Sequence, residues 1–69
     1  LYSKIYDSII ERAKTRVVDC YVERHHIVPR CMGGTNNDSN LVTLTFREHF
    51  ICHRLLCKMY PENEKLAYA

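Results

Sequence analysis

The placement of the histidines constrains this chain more than any other feature. All four fall into two pairs, His25-His26 and His49-x-x-x-His53. The residues just before the second pair, Thr45-Phe46-Arg47-Glu48, match the S/T-x-x-E capping box, so a helix is expected from Phe46 to about Met59. Histidines at i and i+4 of that helix project from one face and form a two-point metal clamp on a single element. The same spacing occurs in H-E-x-x-H proteases, where a glutamate must directly follow the first histidine to act as the base. Phe50 fills that place here, and the protease reading is excluded.

The first pair lies in residues 21–28, YVERHHIV, whose β-branched and aromatic side chains predict a strand. Adjacent strand residues point to opposite faces, so one of the two histidines can be a third ligand while the other faces a substrate. Three neutral nitrogens with open positions left for water and a phosphate oxygen form the pattern of a catalytic metal site, not a closed structural one. Either pair alone is a weak signal. Together, as strand pair, glycine-containing loop, strand and helix pair, they form a specific combination.

The remaining elements follow from periodicity and turn chemistry. Residues 3–14 read as an amphipathic helix with Ile5, Ile9 and Ala13 in register, Tyr6 and Ile10 alongside, and Ser3 as its cap. Thr15 to Val18 form its exit. Residues 29–39, PRCMGGTNNDS, are a loop by composition, and 41–45, LVTLT, a second short strand. Pro61 ends the histidine helix and is expected to open another, with Glu62 and Glu64 in an acidic first turn; the last residues, Leu66-Ala67-Tyr68-Ala69, read as a helix cut short. On the histidine helix, Phe46, Phe50, Leu56 and Tyr60 fall towards the histidines and Ile51, Leu55 and Met59 on another side. Both sets are expected in the core, one covering the hairpin and the other covered by a neighbouring helix.

At 69 residues the chain is one domain at most, short enough to be marginal without a metal, a disulfide or a partner. It has four cysteines, Cys20, Cys31, Cys52 and Cys57, none in a C-x-x-C pair, no signal peptide and no apolar run of membrane-spanning length. The thiols are read as reduced and mostly packed, in an intracellular protein. Net charge is only +2, but two stretches are locally basic: Lys4, Arg12, Lys14 and Arg16 against Asp7 and Glu11, and Arg47, Arg54 and Lys58 against Glu48. Such patches suit phosphate contacts as well as an ordinary solvated helix face. The chain opens on Leu1, and a fragment of a longer protein is expected.

Glu23-Arg24-His25-His26-Ile27-Val28-Pro29, then Gly33-Gly34, Asn40-Leu41, Leu44-Thr45, and Glu48-His49 with His53, resemble the HNH nuclease family across residues 23–53. The flanks are similar to phage-encoded, free-standing HNH endonucleases of the homing type. The resemblance implies an α+β fold, a ββα-metal (HNH) finger with a flanking N-terminal helix over residues 1–69. It implies that His25 ligates metal together with His49 and His53, as in the colicin-like branch, and that His26 is the general base. Asn40 matches the middle asparagine, which holds the loop so that the base points correctly. Glu23 matches an acidic position that shares a strand face with His25 and steadies that ligand or a nearby arginine.

The implied activity is metal-dependent hydrolysis of DNA phosphodiesters in the cytoplasm of a bacterial or phage-infected host cell. A catalytically silent, zinc-stabilised nucleic-acid-binding module is the alternative. Many family members carry Asp at the His25 position and Asn at a helix ligand position, which suits magnesium. Three imidazoles favour zinc, nickel or cobalt over manganese or magnesium, with zinc the ion expected to be found bound. Arg30, beside the base, is a candidate for the phosphate. Arg47, Arg54 and Lys58, on one helix stripe turned away from the histidines, are candidates for flanking DNA contacts.

Overall fold

The computed structural model describes residues 1–68. Its elements are helix α1 (Tyr2–Lys14), strands β1 (Glu23–His26) and β2 (Leu41–Leu44), and helix α2 (Phe46–Met59), with short 3-10 turns at Arg30–Met32, Asp38–Asn40 and Glu64–Tyr68. The strands pair antiparallel, with Glu23 opposite Leu44, His25 opposite Val42 and His26 opposite Leu41. This is the ββα arrangement with a flanking N-terminal helix. α1 packs on α2 and β2, and α2 packs on both strands.

Sequence dictates the start of α2 closely. The Thr45 hydroxyl accepts from the Glu48 amide at 3.2 Å, and the Glu48 carboxylate accepts from the Thr45 amide at 2.9 Å. Two amides that the helix itself cannot satisfy are thereby paired. Glu48 also joins Arg16, beyond the end of α1, through a two-pronged ion pair with Nη1 to Oε2 at 2.6 Å. Arg16 holds the Glu48 carboxyl at about 2, well below the usual carboxylate range, with the Thr45 bonds adding to the effect.

The core lies between the helices and the inner face of the hairpin: Tyr6, Ile10 and Ala13 of α1, Val42 and Leu44 of β2, Cys52, Leu55 and Leu56 of α2, and Leu66. Several expectations need correction. The buried row of α1 is Tyr6–Ile10–Ala13, and Ile5, about 100° round the helix from Tyr6, is exposed. α1 begins at Tyr2 without a side-chain cap, so Ser3 lies inside the first turn instead of capping it. Phe46, Phe50 and Ile51 are exposed, because Cys52, Leu55 and Leu56 form the face turned inward.

β1 is shorter than the 21–28 pattern. After His26 one more backbone bond is made, from the Ile27 amide to the Asn40 carbonyl at 2.9 Å, and the Val28 amide then pairs with the Asn40 side chain instead. Pro61 opens a turn, not a helix. A 3-10 turn follows from Glu64, with Asn63 accepting from the Lys65 and Leu66 amides. Of the helix expected at the C-terminus, Ala69 lies outside the described residues. The four thiols are free, but only Cys52 is fully packed; Cys20 and Cys31 are exposed. No helix among the described residues is long and apolar enough to cross a membrane.

Candidate metal centre and adjoining cleft

β1 and α2 bring three of the four histidines together. Donor nitrogens of His25, His49 and His53 all lie within 4.8 Å of one another. The centroid of the His25 ring is 5.1 Å from that of His49 and 5.3 Å from that of His53. His25 is 2% exposed, and its partners on α2 are half-buried. Burial, with the neighbouring His49 and His53 adding to it, pushes the His25 pKa down to about 4. Burial lowers that of His53 as well. Both rings are therefore neutral near pH 7, the state a metal ligand requires.

Hydrogen bonding fixes which atoms face inward. His49 Nδ1 lies 2.7 Å from Glu23 Oε1. An ionised carboxylate can only accept, so the proton sits on Nδ1 and the Nε2 lone pair is left free. That Nε2 is 3.0 Å from Nε2 of His53. Two ring nitrogens so close either share one proton or hold a common cation. Glu23 is kept ionised first by Tyr21, whose hydroxyl donates to Oε2 at 2.6 Å, and then by His49. A carboxylate behind a ligand imidazole is a recurrent feature of metal sites. The donor set and its convergence fit a divalent metal with a preference for nitrogen ligands. Glu23 shares the inner face with His25, but the histidine it bonds is His49.

His26 stands apart from the triad. Its Nε2 lies 2.7 Å from Asn36 Oδ1. Because that oxygen only accepts, Nε2 carries the proton and Nδ1 keeps its lone pair. A cleft of about 410 Å³ is lined by Arg24, His25, His26, Arg30, His49, His53 and Lys65, among others. Three consecutive residues of β1 line it, both strand histidines among them. Arg30 and Lys65 place two cationic side chains on its wall.

Asn40 ties both ends of the intervening loop. Its side-chain oxygen accepts from the Val28 amide at 2.8 Å, and its nitrogen donates to the Val28 and Thr35 carbonyls at 3.0 and 2.9 Å. Gly34 makes the knot possible: a Cβ there would sit 1.7 Å from the Val28 oxygen. Gly33, at φ 91, ends the preceding turn in a left-handed conformation that favours glycine.

The other candidate cations lie away from the cleft. Arg47 is exposed beside Phe46 and Phe50; the Arg54 guanidinium stands 5.9 Å from the Phe50 ring centroid, and the Lys58 ammonium 5.8 Å from that of Tyr2. Sequence reasoning missed Tyr6, which touches His25, and also Asn36, Arg16 and Lys65. Tyr6 read as one member of an apolar stripe, and Asn36 as turn composition; neither spacing carries a signal of its role. Arg16 read as one member of a basic stretch and Lys65 carried no reading; the ion pair of the first and the cleft position of the second are set only by tertiary packing.

A two-stranded hairpin and a capped helix carrying three convergent imidazoles define the class of domain. Proteins with similar sequences are found in a bacteriophage. The chain is 56% identical over 61 residues, 87% of its length, to "Probable mobile endonuclease E" of Enterobacteria phage T4, and spans 43% of that protein. It is 45% identical to "Probable mobile endonuclease D" of the same phage over an alignment of 73 positions, covering 99% of the chain and 28% of that protein. A more distant relative, at 36% identity over 57 residues, is "Uncharacterized 38.5 kDa protein in psbA intron 1" of Chlamydomonas moewusii; the match covers 83% of the chain and 16% of that protein. The chain thus spans less than half the length of the curated relatives it matches. No protein-family profile matches it. No solved structure matches it either.

Proposed function

We propose that the chain is the catalytic domain of a metal-dependent DNA endonuclease of the HNH type, one that hydrolyses phosphodiester bonds as part of a mobile, homing-type element in a phage-infected bacterial cell. The observation that carries this reading is the division of labour on β1: His25 joins two helix histidines, and His26 lines the same cleft with an unshared Nδ1 lone pair. The names of the relatives support the nuclease class.

His25, His49 and His53 would hold one divalent metal, with zinc the best match to three imidazoles. Bound there, it supplies Lewis-acid stabilisation of charge on the phosphate and on the leaving 3′-oxygen. The protein's own groups do the rest. His26 accepts the proton of the attacking water at Nδ1, while its Nε2–H donates to Asn36. The water oxygen bonds to phosphorus, the bond to the 3′-oxygen breaks, and that oxygen takes a proton from solvent. Asn40 holds the loop carrying Asn36, and Glu23 orients His49. Arg30 contacts the phosphate from the cleft wall, and Arg47, Arg54 and Lys58 contact flanking DNA phosphates from the outer face of α2.

Supercoiled plasmid incubated with the full chain and zinc, nickel, cobalt, manganese or magnesium tests the reading. Nicked or linear product from wild type, abolished by chelator, is the expected result. DNA binding without cleavage under every metal overturns it in favour of the catalytically silent zinc-stabilised binding module.

A further inference from the structure

One polar contact to the histidine cluster comes from outside residues 23–53 altogether. Tyr6 of α1 is 3% exposed, and its hydroxyl makes two contacts in the interior. It donates to the Ile27 carbonyl at 2.6 Å and lies 2.7 Å from His25 Nε2. A phenol has a single proton. The Ile27 oxygen can only accept, so the proton belongs to that bond. The contact with Nε2 is then a hydrogen bond only if Nε2 carries its own hydrogen and donates to the phenol oxygen. His25 is thereby set as the Nε2–H tautomer with its lone pair on Nδ1.

We propose that Tyr6 is a positioning residue of the metal site, fixing the tautomer and ring angle of His25 so that this ligand presents Nδ1, where His49 presents Nε2. The inference rests on the metal reading above and deepens it. Each strand or helix ligand with a defined bond on its other ring nitrogen then has a separate orienter: Glu23 for His49, from β1, and Tyr6 for His25, from α1. Through this contact α1 becomes part of the site, although none of its residues faces the cleft. A buried tyrosine that merely satisfied the Ile27 carbonyl would affect folding alone.

The experiment uses the full chain as wild type, Tyr6→Phe and His49→Ala. Zinc affinity is measured by competition with a chromophoric chelator, the ring-nitrogen state of His25 by ¹⁵N NMR, and stability without metal by melting. The expected results are a His25 Nε2–H, Nδ1-ligated signal in zinc-loaded wild type and an affinity for zinc about 10–100-fold weaker in Tyr6→Phe. Unchanged affinity in a folded Tyr6→Phe protein overturns the proposal, as does wild-type His25 protonated at Nδ1 and ligating through Nε2. The wild-type NMR result decides the matter even if Tyr6→Phe fails to fold. If His49→Ala also binds zinc like wild type, the metal reading itself has failed; if His49→Ala loses zinc while Tyr6→Phe does not, only the role of Tyr6 has.

Discussion

Glu48 and His49 are adjacent on α2, yet they belong to two different kinds of polar cluster. Around Glu48, every group is consumed by the protein: both carboxylate oxygens meet Arg16, one also accepts the Thr45 amide, and the Thr45 hydroxyl accepts the Glu48 amide. Around His49, the outward bonds are equally well made, to Glu23 on one ring and to Tyr6 on another, but the inward nitrogens converge on one another. A structural network uses up its bonding capacity internally. A ligand-binding network spends half of it on orientation and leaves the rest aimed at a common point, which is what a metal requires. The comparison makes opposite forecasts for neighbouring residues.

The largest effect is expected at His49. His49→Ala removes one of three donors and leaves Glu23 without its imidazole, so zinc retained after gel filtration should drop to background and cleavage with it. Because metal binding is linked to folding in a domain this small, adding chelator to wild type should lower its melting midpoint towards that of the variant. A variant that keeps stoichiometric zinc breaks the comparison, since the cluster around His49 would then be as self-contained as the one around Glu48.

His26 sharpens it next. It belongs to neither cluster, being half-buried and bonded only to Asn36. His26→Ala should retain zinc, fold and DNA binding while losing roughly 10²–10⁴-fold in cleavage rate, the usual worth of a general base. Single-turnover kinetics on plasmid at saturating metal measure this directly. Near wild-type cleavage would remove His26 from the chemistry; loss of zinc would make it a ligand.

Much of this division was legible in the sequence, for reasons specific to each element. The capping box is local, so Thr45 and Glu48 announced the start of α2 and thereby the common face of His49 and His53. Strand alternation separated His25 from His26. What sequence could not show was set by non-local packing. Arg16 meets Glu48 across 32 positions and Tyr6 meets His25 across 19, and no periodicity encodes either pairing. The exposed Phe46 and Phe50 misled for a related reason: hydrophobic periodicity locates an apolar face, but the other elements decide which apolar face is covered.

Glu23 is the next test, with a smaller effect. Glu23→Gln keeps a side-chain oxygen able to accept from His49 Nδ1 but loses its charge, while Glu23→Ala loses both. Zinc affinity should fall in the order wild type, Gln, Ala, with the alanine variant about 10–100-fold weaker than wild type. Titration against a chromophoric chelator resolves the series. Equal affinities for all three would show that the carboxylate serves the strand or Tyr21 and not the ligand.

The smallest effect belongs to the saturated cluster, and its signature is in pH. The Glu48 carboxyl is held at about 2 by Arg16 in the folded state, against an ordinary value of 4.5. Its pKa is depressed on folding, so its contribution is fully present above about pH 4.5 and is lost as pH falls towards 2. Glu48→Gln removes the ion pair while retaining an oxygen for the Thr45 amide. Allowing for solvent screening of a partly exposed pair, the cost near pH 7 should be about 1–2 kcal/mol. Protonation of His25, whose own value is depressed to about 4, destabilises both proteins alike as the medium is acidified. It therefore cancels when the wild-type and variant stabilities are subtracted. Urea titrations of metal-free protein between pH 7 and 3 should show a difference that is level down to about pH 5 and shrinks below it. A difference that does not vary with pH would mean that Glu48 acts through shape and capping alone, and the ion pair with Arg16 contributes nothing measurable. In neither case should zinc affinity change, because the Glu48 network has no donor directed at the histidines.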